Sequence, residues 1–422
     1  MKFNKTTLSN GLKIITIPMT DNPSVTVLVM VEAGSKYETK EQNGISHFLE
    51  HMVFKGTPKR PNATDISREL DSIGSHYNAF TGQEYTGYYV KVNHTKLDNA
   101  LEIISDLFMN PLFKKEEIEK EKGVIVEEIR MYKDIPQRVV HEIFGEMLFE
   151  GQPAGRSVLG TEDNVRSFTQ DQIIQYRKNH YVSSATSVVI AGSFDEAKTI
   201  KKAEQYFAEV LGSKKQDKIA VIESQSVPAI KVKYKETDQT HLIIGLRTFS
   251  INDKRIPTVN VLSTILGGGM SSRLFSRLRD EMGICYYVRS SHNPNTDHGD
   301  LTISAGVDNS RVEEAVKEIL AQCKKIKDEP VSLAELQKAK DYLSGTTMLE
   351  LETSEDRAEF CAGQQILKKK IESPEEIIEK INKVTVADVQ KLAKEIFVDE
   401  GLNMAIVGKF KDGEGFRSYF KL

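Results

Sequence analysis

No run of apolar residues in this 422-residue chain is long enough to cross a bilayer. The opening residues, Met1-Lys2-Phe3-Asn4-Lys5-Thr6-Thr7-Leu8, pass straight into strand-like sequence, with no apolar core of signal-peptide length behind their lysines. Together these absences predict a cytoplasmic protein with no membrane partner. Cysteine is scarce: Cys285, Cys323 and Cys361 are odd in number, widely spaced and outside the half that carries the histidine motif described below. They read as buried thiols in a reducing compartment, neither disulfides nor metal ligands. A formal net charge of -4 is too small to argue for nucleic acid or an anionic surface. No tract has low complexity, and 39% apolar with 28% charged residues is a globular composition. The length exceeds one ordinary domain and suggests two or three.

What is present centres on Gly44-Ile45-Ser46-His47-Phe48-Leu49-Glu50-His51-Met52-Val53-Phe54-Lys55-Gly56. Ile45, Phe48, Leu49, Met52 and Val53 repeat at helical spacing, and His47, Glu50 and His51 fall on a neighbouring stripe. Imidazoles four residues apart on a helix point the same way and can share one metal ion, and neutral imidazole suits zinc. Glu50 adjoins the second histidine, so it is poised as a base beside the metal-bound water instead of completing the ligand set. This order, H-x-x-E-H, is the inverted zincin motif. Gly56 and Pro58 follow at once and close the helix. An accidental His-Glu-His trio on a solvated helix face is the weaker reading.

The rest of the chain is organised as a repeat. Asn10-Gly11 between Leu8 and Leu12 signals a hairpin, and Val25 to Val31 reads as a buried strand. Ser75 to Val92 reads as strand or hairpin, and Leu97 to Met109 and Glu116 to Tyr132 as helices broken by Asn110-Pro111. Phe168-Thr169-Gln170-Asp171-Gln172-Ile173 matches Val384-Thr385-Val386-Ala387-Asp388-Val389, and Val189-Ile190-Ala191-Gly192-Ser193-Phe194 matches Ala405-Ile406-Val407-Gly408-Lys409-Phe410. Both blocks are displaced by 216 positions, and Tyr181 matches Phe397 between them. The expectation is an α+β protein of two homologous domains, each a mixed β-sheet covered by helices. Residues 1–211 form the first domain, 212–228 a polar linker and 229–422 the second. Where a second histidine helix belongs stands Ile265-Leu266-Gly267-Gly268-Gly269-Met270-Ser271-Ser272-Arg273, so only one copy holds metal, predicting about one zinc per chain. Those glycines lack a following Gly-Lys-Ser/Thr and read as a helix-terminal or close-approach loop, not a phosphate loop.

A catalytic zinc takes three protein ligands and keeps one open position. Glu121 and Glu128 are seven apart on the helix after Pro111, two turns on one face, so both can look toward one point. Spacing alone leaves Glu127 open as well. At this point the chain resembles the pitrilysin (M16) family of zinc peptidases, which includes insulin-degrading enzyme and the mitochondrial processing peptidase. The resemblance rests on His47-Phe48-Leu49-Glu50-His51, on Val124-Ile125-Val126-Glu127-Glu128-Ile129 and on Leu8-Ser9-Asn10-Gly11-Leu12. Asn78-Ala79-Phe80-Thr81 with Glu84 and Thr86, and Ser272-Arg273-Leu274-Phe275 running to Tyr286, extend it over nearly the whole chain. At this length it is most similar to the short branch, whose subunits carry two homologous domains.

The resemblance implies zinc ligands His47, His51 and Glu128, Glu50 as general base and Glu121 as a supporting acid on the same helix face. It implies that Arg279 and Tyr286, in the second domain, contact substrate near the scissile bond, and that Asn78, Ala79 and Phe80 form the edge strand on which substrate backbone pairs. It implies a zinc-dependent endopeptidase acting on extended or presequence-like peptides inside a dimer chamber, with a homodimer sufficient. An intact Glu50 separates this from a metal store, and the zinc set together with the Arg/Tyr pair separates it from an inactive structural subunit.

Overall fold

The Leu8–Leu12 turn closes as its residues require: Gly11 stands at φ +91°, Leu8 N–H donates to Leu12 O at 2.8 Å, and Asn10 Oδ1 accepts from Leu12 N–H. The computed structural model describes residues 1–422, and this turn joins the first two strands of its first sheet. That sheet comprises β1 (Asn4–Thr7), β2 (Lys13–Pro18), β3 (Ser24–Val31), β4 (His76–Thr81), β5 (Thr86–Asn93) and β6 (Thr186–Gly192). Its order is β1-β2-β6-β3-β5-β4, with β2 and β6 parallel and every other pair antiparallel. A second sheet comprises β7 (Ala229–Tyr234), β8 (Gln239–Thr248), β9 (Cys285–Pro294), β10 (Gly299–Asp308) and β11 (Asn403–Gly408), in the order β7-β11-β8-β10-β9 with only β7 and β11 parallel. Both are mixed sheets covered by helices, the α+β class that the repeat predicts.

The repeat has a physical basis. Thr169 and Thr385 each start a helix with a reciprocal capping box, to Gln172 and Asp388 respectively. Tyr181 and Phe397 are the C-caps of those helices, and Gly192 and Gly408 end β6 and β11. The glycine run of the second copy ends the helix Ile256–Gly267, and a Cβ on Gly267 would lie 2.4 Å from Ser290 N, so this is a close-approach glycine.

The chain divides into two compact units, and each borrows a helix from the other half of the sequence. One unit is Met1–Arg130, Arg156–Ile219 and Leu349–Ser373; the other is Met131–Gly155, Ala220–Met348 and Pro374–Leu422. In the first, β3 is buried on both faces, which is why Val25 to Val31 is apolar without interruption. Val25, Val27, Val29 and Val31 face a core shared with the helices Ile45–Val53, Leu97–Met109 and Lys115–Asp134. Leu28 and Met30 face Ala358, Cys361, Ala362 and Ile366 of the helix Ser354–Leu367. Cys361, which the sequence places outside the histidine half, thus belongs to the histidine unit. In the second unit the helix Pro136–Leu148 does the same, covering Ile243, Ala405 and Val407 with Val139, Val140 and Phe144. All three cysteines are free and buried, and no helix is long and apolar enough to cross a membrane.

Candidate metal centre

The helix Ile45–Val53 buries Ile45, Phe48, Leu49, Met52 and Val53, which fixes its rotation and sends His47, Glu50 and His51 along the adjoining stripe. Its exit is held by a buried ionic knot. Thr57 Oγ1 donates to Asp106 at 2.6 Å, and Arg60 pairs with Asp106 at 2.7 Å, with Glu69 at 2.6 Å and with Glu102.

The second contributor is the helix Lys115–Asp134, whose phase is set by buried Ile118, Ile125 and Ile129. That phase separates the three candidate glutamates. Glu127 points out and pairs with Arg130 at 2.8 Å, whereas Glu121 is buried and Glu128 turns toward the histidines. Three donor atoms converge: His47 Nε2 and His51 Nε2 are 3.2 Å apart, and Glu128 Oε2 lies 3.6 Å from the first and 3.5 Å from the second. A tetrahedral zinc with bonds of about 2.0–2.1 Å needs ligand atoms about 3.3 Å apart, so the triangle fits that ion and leaves a fourth direction open. It is the one group of three or more His, Cys, Asp and Glu side chains in the protein that is close enough to hold a metal.

The electrostatics prepare this triangle for a cation. Burial, with His51 alongside, pulls the His47 imidazole down to about 3, so its ring is neutral and its lone pair is available. Glu121 Oε1 lies 2.8 Å from His51 Nδ1, and a carboxylate there can only accept, so the proton sits on Nδ1 and Nε2 faces the site. Burial works against ionisation of Glu121, but hydrogen bonds from His51 and from Lys55, 2.6 Å away, prevail and hold its carboxyl below the usual range. Glu121 therefore orients the His51 ring and lies outside the group of converging donor atoms. Glu121→Gln is expected to weaken zinc binding about 10–100-fold, read by competition with a chromophoric chelator; unchanged affinity would mean that the ring needs no anchor.

Glu50 lies on the same helix but outside the triangle. Its carboxyl is pushed above the usual carboxylate range by burial, while the Thr81 hydroxyl donating to Oε2 acts in the opposite sense. Thr81 ends β4, so this bond ties the glutamate to the strand that carries Asn78, Ala79 and Phe80. That strand pairs only with β5, which leaves its other edge open. Ala79 packs on the side of the histidine helix, and Phe80 on the opposite side against Tyr85 and over Gly87. Asn78 is exposed on this strand, and its side-chain oxygen accepts from the Ala79 N–H at 2.9 Å. Arg279 and Tyr286 belong to the other unit, and the structure brings them together. One π-helical turn, Phe275–Glu281, places the Arg279 guanidinium 4.8 Å from the Phe275 ring centre and 5.6 Å from that of Tyr286, the latter 71% exposed at the start of β9.

Sequence reasoning missed Lys55, Thr81 and Glu38. Lys55 lies one helical turn beyond His51, so the spacing contained a signal. Thr81 stood at the end of a stretch already singled out. Glu38, upstream of the helix it bonds, has no local signature.

A helix bearing H-x-x-E-H and a glutamate from a second helix, on a two-unit α+β scaffold, form a group that could hold one metal ion. The comparisons make the assignment specific: the chain belongs to the M16 peptidase family. Residues 13–162 match the model described as insulinase, peptidase family M16, and residues 167–343 the model described as the M16 inactive domain. The chain is 34% identical to a Bacillus subtilis protein named uncharacterized zinc protease YmxG, over 93% of its own length and 95% of that relative's. It is 35% identical to an uncharacterized zinc protease of Rickettsia bellii over 96% and 97% of the two lengths. In fold it is similar to a protease from Helicobacter pylori, with a TM-score of 0.91, 23% identity and coverage of 96% of this chain and 99% of that one.

Proposed function

We propose that this chain is a zinc endopeptidase that binds one zinc through His47, His51 and Glu128 and hydrolyses extended peptides with Glu50 as general base. The observation that carries the reading is a carboxylate beside, and not within, a triangle of donor atoms sized for zinc. Zinc, when bound, supplies Lewis-acid polarisation that makes water nucleophilic near neutral pH. The chain's own residues do the rest. Glu50 accepts a proton as water attacks the peptide carbonyl and returns it to the leaving amine, and its raised pKa favours that return. Thr81 holds the carboxylate in place, and Glu121 with Lys55 holds His51. Substrate pairs its backbone along the open edge of β4 at Asn78, Ala79 and Phe80, which selects extended segments over folded proteins.

In this reading the working unit is a cytoplasmic homodimer whose chamber encloses the substrate, and Arg279 and Tyr286 of one subunit donate hydrogen bonds to carbonyl oxygens at the zinc of the other. The exposed Tyr286 ring and the adjacent guanidinium support that role. The test mixes Glu50→Gln subunits with Tyr286→Phe subunits, each nearly inactive alone, under conditions of exchange. Sites working in trans give a mixed dimer with one intact site, and cleavage of an unstructured fluorogenic peptide returns. If mixing recovers nothing, the pair acts within its own chain.

A further inference from the structure

Helix starts need acceptors for their free N–H groups. The histidine helix cannot provide its own: its first turn has no acidic residue, and its N-cap is Gly44 at φ +102°, without a side chain. Gly44 cannot be replaced by a capping residue, because a Cβ there would lie 2.7 Å from Leu159 O. The acceptor comes from Glu38. Its Oε2 accepts from Gly44 N–H at 2.8 Å and from the Asn43 side-chain amide at 3.1 Å, and its Oε1 accepts from Ser46 N–H at 2.8 Å. Glu38 is 1% exposed and forms no ion pair with a lysine or arginine; burial pushes its carboxyl above the usual range, while the hydrogen bonds from Ser46, Gly44 and Asn43 act in the opposite sense. It is fixed in turn, with Arg156 donating to its carbonyl and Asn43 also donating to Ser157 O.

Ser46 immediately precedes His47, and the two histidines are held unequally. His51 is anchored through Nδ1 by Glu121, whereas His47 Nδ1 is buried with no hydrogen-bond partner. The direction of the His47 ring therefore depends on where the helix backbone starts. We propose that Glu38 is a positioning residue for the metal centre, clamping the first turn so that His47 Nε2 meets His51 Nε2 and Glu128. The inference rests on the zinc reading above. Ligand sets tolerate misplacement of only about 0.5 Å, so a loosened first turn reaches the metal before it reaches the fold.

The experiment compares Glu38→Gln, Glu38→Ala and Phe207→Leu, the last a core change in the same unit at a ring that packs against Phe108 and makes no bond to Glu38 or the metal-site residues. Zinc affinity is read by chelator competition, and site geometry by the visible spectrum of the cobalt-substituted protein. Glu38→Gln keeps the volume but replaces one of the two acceptor oxygens with an amide donor, and is expected to weaken zinc about 10-fold or more and to alter the cobalt bands; Glu38→Ala goes further if it folds. Phe207→Leu should melt earlier with wild-type affinity and spectrum. Glu38→Gln binding zinc within twofold of wild type with an unchanged spectrum overturns the proposal, as does an equal loss in Phe207→Leu. A wild type that takes up no zinc overturns the zinc reading itself, a different result from normal binding that is indifferent to Glu38.

Discussion

The Glu50→Gln variant is expected to retain one zinc per chain and to cleave extended peptides about 10²–10⁴-fold more slowly than the wild type, the contribution typical of a positioned general base. Retention follows from the geometry, since the donor atoms that converge belong to His47, His51 and Glu128. Glutamine matches glutamate in shape, and its amide oxygen can still accept from Thr81, so the helix and its two imidazoles should stay in place. What is lost is the ability to take a proton. His51→Ala provides the contrast: it removes one corner of the triangle and the partner of Glu121, so metal and activity should disappear together. Metal content by mass spectrometry and turnover of a fluorogenic peptide decide the matter. A Glu50→Gln protein that keeps more than a tenth of wild-type activity, or that loses its zinc, would remove Glu50 from the role of base.

The part of the centre carried by a single helix was legible because its spacing is local. His47 and His51 at i and i+4 must share a face whatever the tertiary structure. The third corner was half legible. Glu127 and Glu128 are adjacent, so the choice depends on the rotation of their helix about its axis, which spacing between glutamates does not give. The apolar residues did contain it: Ile118, Ile125 and Ile129 mark the buried stripe, Glu121 and Glu128 each follow a member of it by three positions, and Glu127 pairs outward with Arg130. The repeat was visible because a threonine cap and a strand-ending glycine are local devices that recur intact. The source of each sheet's outer cover was not. A helix that is apolar on one face does not state which sheet it will cover, and Ser354–Leu367 looks in sequence like any helix of the second half.

That exchange predicts that the histidine unit is unstable without residues from the far end of the chain. Ala358, Cys361 and Ala362 are 0% exposed, Ile366 is 3%, and together they seal Ile15, Ile17, Leu28, Met30, Val189 and Ala191. The Ser354 hydroxyl adds bonds to Ser24 at 3.1 Å and Thr26 at 2.9 Å, buried at the start of the same helix. A fragment of residues 1–219 keeps His47, Glu50, His51 and Glu128 but leaves this face bare, an apolar surface of the kind that aggregates. It is expected to be insoluble or to bind hydrophobic dye without a cooperative melt, and to regain solubility when residues 220–422 are co-expressed. In the full chain, Ala362→Asp places an unpaired charge against the sheet, at a cost of about 3–5 kcal/mol, a large share of the roughly 5–15 kcal/mol that holds a domain folded. Its histidine unit should melt early. Gly363→Ala, one position on, meets nothing within 4 Å at its new Cβ and should stabilise the same helix by about 0.5–1 kcal/mol. Hydrogen exchange in β3 and the melting transition report both changes. A 1–219 fragment that is monodisperse, melts cooperatively and binds zinc as tightly as the whole chain would show that the borrowed helix is dispensable.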